Sequence, residues 1–336
     1  MKYTFIFLLL FISSTIFAQT TKEDIYGAWV KVKLTYNNGA ELPDDNALKY
    51  SYVRYTFKSP DIFNPSVAYN EKGGSNTFDV DGDIIKIQLP GGFVINQFKI
   101  KSVKDTLILV QQGTDQGFDD PSTLKFYFIP ERVYQNNIRF KPADIYSVTA
   151  GDTIYKDSPK VYATYKDGSF RSAIYNGLNG NMDGRSGHFI ATFTVFKSGI
   201  ADSLKITKGI DDKFNKRFIK VFNQTKKNWE PAVLNGKIVP VEVTIELRYE
   251  TSAEALPAQN FTFNGNDAYN KQEYDVALAF YNQALDNVAD DKANLYKRGI
   301  CKLHLGNTSG ACEDWNKIKA LGGSPEADAM LEKYCK

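Results

Sequence analysis

The sequence predicts a multidomain chain that changes architecture twice. An all-β domain over 22–132 comes first, and a small α+β domain over 155–250 follows. A linker over 251–260 then leads to α-helical hairpins over 261–336. Three observations carry this. Short alternating runs repeat from 22 to 132 with no helical stretch between them. A tryptophan-proline corner, an Asn-Gly turn and a long alternating strand occupy 228–249, directly after an amphipathic helix. Large and small residues then recur at a fixed offset of 34.

Length and composition fit this division. The 336 residues exceed one typical domain. Hydrophobic residues at 43% and aromatics at 14% belong to a folded, strand-rich protein. With 41 Lys and Arg against 39 Asp and Glu, the net charge is +2. A nucleic-acid or anionic-membrane binder needs a net basic field, so neither partner is expected. Lys2 before an apolar run at 5–17 predicts an export signal over 1–18, cut after Ala18. The run has 13 residues, short of the ~20 that a membrane-spanning helix needs. Ile16, three residues before the new N-terminus at Gln19, is larger than the usual residue there. No cysteine stands near the cut, which argues against a lipoprotein. The expected location is the periplasm, with secretion as the alternative.

In the first domain, 28–36 alternates, with Val30, Val32 and Leu34 on one face and Lys31 and Lys33 on the other. Asp81-Gly82 between two alternating runs predicts a hairpin. The same acidic stretch, Asp79 to Asp83, is a poor calcium loop, because its twelfth position is Pro90. Repeated short strands predict a small barrel or sandwich. Gly27-Ala28-Trp29, Tyr55-Thr56-Phe57-Lys58 and Asp105-Thr106-Leu107-Ile108-Leu109 resemble the bacterial lipocalin-like domains. That resemblance implies a closed barrel with Trp29 packed in its floor. Such a barrel either holds a small apolar ligand or is filled by its own side chains.

In the second domain, 170–178 predicts a short helix. The glycine-rich loop at 177–187 lacks the spacing of a phosphate cradle. Strands follow at 189–196 and 200–208. Phe214, Phe218, Val221 and Phe222 then mark one face of a helix. In the last strand Val241, Val243, Ile245, Leu247 and Tyr249 point one way and Glu242, Thr244, Glu246 and Arg248 the other. Phe193, Val195, Gly199, Trp229, Pro231, Ala232, Asn235, Gly236, Lys237 and Val239 resemble the TonB C-terminal domain. The resemblance implies a module that grips an extended partner segment by strand pairing. Its expected docking edge is Val241, Val243, Ile245, Leu247 and Tyr249. An energy transducer of that family has a retained membrane helix and a proline-rich spacer. Here a cleavable signal and a β domain are expected instead, so the domain is expected to be a binding module.

In the tail, Gly265, Ala277, Tyr281 and Ala284 recur as Gly299, Ala311, Trp315 and Ile318. This resembles the tetratricopeptide (TPR) repeat, with Ala268 and Lys302 replacing its tyrosine and Ala289 and Gly323 its proline. A capping helix is expected at 325–334. Two repeats are few, so the tail must lean on a neighbour or a crosslink. A disulfide between Cys312 and Cys335 would supply one, leaving Cys301 as a buried apolar residue. Only two histidines occur, His188 and His304, and no catalytic, cofactor or metal constellation can be assembled. The expectation is a non-enzymatic adaptor that binds envelope proteins, an outer-membrane protein segment among them. A carrier of a small apolar ligand is the alternative, and a structural component of a larger envelope complex a third reading.

Overall fold

The computed structural model describes residues 21–44, 46–136, 140, 142–149, 151–178, 187–249 and 252–335. The stretch expected to be an export signal, 1–18, and most of the glycine-rich loop lie outside the described residues. One turn of helix, α1 (Lys22–Ile25), leads into eight antiparallel strands. They are β1 (Gly27–Tyr36), β2 (Arg54–Lys58), β3 (Ile62–Ser66), β4 (Asn76–Asp81), β5 (Ile84–Gln88), β6 (Val94–Val103), β7 (Leu107–Gln111) and β8 (Leu124–Pro130). A short helix, α2 (Ala47–Tyr50), sits between β1 and β2. Each strand pairs with the next, and β1 closes on β8 to complete a barrel. Trp29 is buried at the α1 end, its Nε1 donating to the Ile25 carbonyl at 2.8 Å. Tyr55, Phe57, Phe63, Phe78, Phe98, Phe126 and Phe128 fill the interior. Their rings meet at centroid distances of 4.8 to 6.3 Å. Edge and tilted contacts of this kind suit the ring quadrupole.

Asp81-Gly82 turns β4 into β5, with Asp81 opposite Ile84 and Gly82 at φ 64°. Lys86 pairs with Asp81 at 2.9 Å and Lys99 with Asp83 at 3.6 Å. The predicted alternation of β1 fails at its centre. A bulge between Lys31 and Lys33 inserts Val32 opposite β8. The extra residue reverses the faces there, so Lys31 is buried and Val32 is 49% exposed.

After α3 (Glu131–Asn136) the chain builds a second sheet. The elements from here are β9 (Ile145–Thr149), β10 (Asp152–Lys156), β11 (Thr164–Tyr165), α4 (Phe170–Gly177), β12 (Gly187–Val195), β13 (Ala201–Lys208), α5 (Asp212–Thr225), β14 (Trp229–Glu230), β15 (Ala232–Leu234), β16 (Lys237–Val239) and β17 (Val241–Tyr249), with β11-β14 and β15-β16 as separate two-stranded sheets. The main sheet has the order β13-β12-β17-β10-β9. It starts ten residues before the predicted boundary of 155, at Ile145. Asp211 caps α5, its carboxylate accepting from the Phe214 amide at 2.7 Å. Phe214 and Phe218 then pack on Phe189, and Phe222 on Phe193, at 4.4 to 5.1 Å. Trp229 is 1% exposed and sits among Tyr165, Phe170 and Phe193. A Cβ at Gly199 would lie 2.7 Å from the Trp229 carbonyl oxygen, so only glycine fits beside this corner. Asn235 and Gly236, at φ 48° and 74°, turn β15 into β16.

The tail consists of α6 (Ser252–Asn270), α7 (Tyr274–Asn287), α8 (Lys292–His304), α9 (Thr308–Ala320) and α10 (Pro325–Tyr334). The predicted linker at 251–260 is therefore corrected, because α6 already runs from Ser252 with Pro257 inside it. An interior proline costs a helix about 3 kcal/mol, so packing and not local propensity holds this turn helical, with Ala258 buried directly after Pro257. The 34-residue repeat has a packing cause. A Cβ at Gly265 would meet the Tyr281 ring at 2.8 Å, and one at Gly299 would meet Trp315 at 2.5 Å. Each glycine clears space for the aromatic residue 16 positions on. Cys312 and Cys335 are bonded, and Cys301 is a free, buried cysteine whose thiol burial pushes up to about 12.

Two polar joints tie the barrel, sheet and tail together. Arg54, 5% exposed, donates to Glu131 at 2.8 Å and to the Glu71 carbonyl at 2.5 Å, and Tyr162 donates to the same Glu131 oxygen. This joins the barrel to the sheet. Asp44, between β1 and α2, accepts from Lys49 and Tyr50 at 2.9 Å, from Tyr334 at 2.8 Å and from Lys333. Four donors on one carboxylate bind the end of α10 to the barrel.

Candidate partner-binding cleft

Alternation buries one face of β17. Val241, Val243, Ile245 and Leu247 are at most 5% exposed, and the half-buried Tyr249 ring lies 5.7 Å from Phe214. β12 pairs with β17 along all nine residues, from Val195 opposite Val241 to Gly187 opposite Tyr249. On the other side β10 runs parallel and covers only Val241 and Glu242. The Pro240 and Glu242 carbonyls accept from the Tyr155 and Asp157 amides at 3.1 and 2.9 Å. Backbone direction alternates along a strand, so Thr244, Glu246 and Arg248 also turn their peptide groups away from β12. Among the described residues no strand pairs with them on that side.

This corrects the docking edge expected from the sequence. Val241, Val243, Ile245, Leu247 and Tyr249 give their side chains to the core, and β17 is an interior strand. Its open peptide groups belong to the residues between those five. Period-two reasoning identifies the core face of a strand. The same residues cannot also supply the lateral edge, which is set by which neighbours pair.

At Glu246 and Arg248 the open side faces a cleft of about 660 Å³, bounded across from it by α6 and the start of α8, while Thr244 lines a smaller hollow of about 200 Å³ beside Asn70 and Glu71. Arg171, on α4, reaches in from the side, its guanidinium donating to the Glu246 carbonyl at 2.8 Å. Ser169 positions α4 by accepting from the Ser172 amide at 3.3 Å while its hydroxyl donates to Glu71 of the barrel at 2.6 Å. On the helical wall, Asn294 and Thr262 exchange hydrogen bonds of 2.8 and 3.2 Å. Asp291 caps α8 by accepting from the Asn294 amide at 2.9 Å. Phe263 stands 73% exposed on the same wall.

The charges of the cleft are mostly paired. Asp290 meets Arg248 at 4.0 Å and Lys317 at 3.6 Å, and Glu246 meets His188 at 2.7 Å. At the covered end of β17, burial raises the Glu242 carboxyl above its ordinary value. Arg171 and Lys292 make no ion pair among the described residues. The arrangement therefore offers backbone donors and acceptors, an exposed ring and two cations, on a wall held rigid by cross-helix hydrogen bonds.

Arg171, Thr262, Phe263 and Asn294 were not singled out from the sequence. Nothing local marks them, since α4, β17, α6 and α8 meet only in the folded chain. The two histidines lie apart. His188 contacts Glu246 and Lys208, and His304 stacks on Tyr274 at 4.0 Å. Neither Cys312 nor Cys335 is near the cleft; their bond fastens α10 to α9.

Together these elements define a chain with a closed eight-stranded barrel, additional sheets and a helical C-terminal region, with a cleft where the second sheet meets the helices. No protein-family model matches the chain, and no curated protein matches it. Among the described residues, no helix is long and apolar enough to cross a membrane.

Proposed function

We propose that this is an exported, non-enzymatic binding protein of the Gram-negative envelope that seats an extended segment of a partner protein in the cleft beside β17. On this reading the barrel is of the lipocalin type, the sheet of the TonB C-terminal type and the hairpins of the tetratricopeptide type. The partner is an envelope protein, such as an outer-membrane protein segment. The observation that carries the proposal is the open side of Glu246 and Arg248, facing α6 and α8 across a cleft of about 660 Å³. A strand laid there gains main-chain hydrogen bonds on one side and side-chain contacts with helices on the other. The aromatic filling of the barrel weighs against the carrier alternative, because the rings already occupy the space an apolar ligand would take.

A photo-crosslinking amino acid placed at Phe263 in cells tests this, with Phe93, 71% exposed on the barrel, as the control position. The expected result is a protein adduct of defined mass from position 263 only. Arg248→Pro removes the open N–H that faces the cleft and leaves the β12 ladder intact, so it should abolish that adduct. Equal adducts from both positions, no adduct, or an adduct indifferent to Arg248→Pro would overturn the proposal.

A further inference from the structure

A second cleft, of about 570 Å³, lies where barrel, sheet and tail meet. It falls within the size range of small-molecule sites. Tyr52 forms one wall, its ring in edge contact with Tyr69 at 6.1 Å and Tyr134 at 6.4 Å. The β1 bulge brings Lys31 to the same cleft. Lys31 is 8% exposed, and its ammonium donates to the Leu48 carbonyl at 2.5 Å and the Ser51 hydroxyl at 3.2 Å.

These two partners are neutral and leave one of the three ammonium protons over. Lys31 makes no ion pair among the described residues; burial lowers its ammonium to about 8, which leaves it charged at neutral pH, and Glu326 on α10 offsets that burial only in part. The other lysines of the wall are matched. Lys49 pairs with Glu41 and Asp44 at 3.1 and 2.9 Å, and Lys160 with Asp144 at 2.7 Å. Asp157, deep in the wall, is held in its neutral form by burial, so it does not balance Lys31. The N-terminus of α10, capped by Ser324, faces the cleft and adds the positive end of a helix dipole. Asp328 stands among the cleft residues as a further acid. A buried ammonium without a counter-charge is costly unless an anion meets it.

We infer that this cleft binds a small ring-bearing anion, its carboxylate, sulfonate or phosphate at Lys31 and its ring against the tyrosines. The bulge is then the device that creates the site, since a regular strand would put Val32 inward and Lys31 out.

The test uses the full chain and two fluorescent probes. 1-Anilinonaphthalene-8-sulfonate carries rings and a sulfonate; N-phenyl-1-naphthylamine has the same rings without the charge. The expected result is saturable binding of the sulfonate at one site per chain. Lys31→Met should weaken it tenfold or more and leave the neutral probe within twofold. Val32→Trp adds bulk at an exposed position on the cleft and should block the sulfonate without touching the core. Non-saturating sulfonate binding, sulfonate binding unchanged in Lys31→Met, or an equal loss of both probes would overturn the inference. Should Lys31→Met fail to fold, unchanged sulfonate binding in Val32→Trp would overturn it.

Discussion

Asp44→Asn should release the end of the tail from the barrel while leaving both folded. The substitution keeps size and one acceptor but removes the charge that four donors share. Two of these, Lys49 and Tyr50, are local; Lys333 and Tyr334 bring in α10. A hydrogen bond to a charged group contributes about 1.5–3 kcal/mol. The carboxylate side chain is 23% exposed, so solvent screening reduces that figure. The two bonds to α10 should then contribute ~2 kcal/mol together, or roughly a 30-fold change in local opening. Burial pushes the Asp44 carboxyl up, but the hydrogen bonds from Lys333, Lys49, Tyr334 and Tyr50 outweigh it and hold the group well below the usual carboxylate range. A depressed folded value means that this stabilisation is complete above the unfolded value of about 4 and fades only as the pH falls through the folded one. Amide hydrogen exchange at pH 7 is the assay. Amides of α10 should exchange roughly 30-fold faster in Asp44→Asn, and those of β5 to β7 at the wild-type rate. Unchanged exchange in α10, or an equal acceleration across the barrel, would refute the idea that this carboxylate fastens the tail.

Three further outcomes follow from the same structure. Burial pushes the Asp157 carboxyl up to about 8 against a hydrogen bond from Asn70 at 3.1 Å. The folded state then holds a proton that the unfolded state releases, so wild-type stability should fall as the pH rises from about 4 to 8. Asp157→Asn should remove that slope and stabilise by on the order of 4 kcal/mol at pH 7, measured by urea unfolding. Replacing Cys312 and Cys335 by serine opens a loop whose ends are 23 residues apart, and should cost the tail ~3 kcal/mol. Thiol labelling of the unreduced, folded protein should modify neither residue. Gly299→Ala gains helix propensity of ~1 kcal/mol but drives a methyl into Trp315, which is fully buried. A net loss of about 1–2 kcal/mol in urea unfolding is expected, and a stabilised variant would show that the ring can move aside.

Much of the architecture was legible because it depends on local signals. The Asp-Gly turn fixes β4 and β5, the Asn-Gly turn fixes β15 and β16, and the four apolar positions of α5 announce its buried face. The 34-residue offset survived because a glycine and an aromatic ring must fit together in each hairpin. Other features escaped for physical reasons. β9 leaves Tyr146 48% and Val148 72% exposed, so its residues do not report a buried face. The Lys31 bulge inserts one residue that alternation cannot foresee. The cleft beside β17 is assembled from Arg171, Glu246, Phe263 and Asn294, which only tertiary structure brings together. Strand identity was thus readable in β17, but its neighbours, and with them its open side, were not.

The nine-residue register between β12 and β17 has a mechanical consequence. β17 leads, two residues later, into α6, so a pull along that strand passes straight from sheet to helices. A segment seated beside Arg248 would load this strand lengthwise. The rungs joining β12 to β17 would then share the force at once, in shear, whereas peeling would break them in succession.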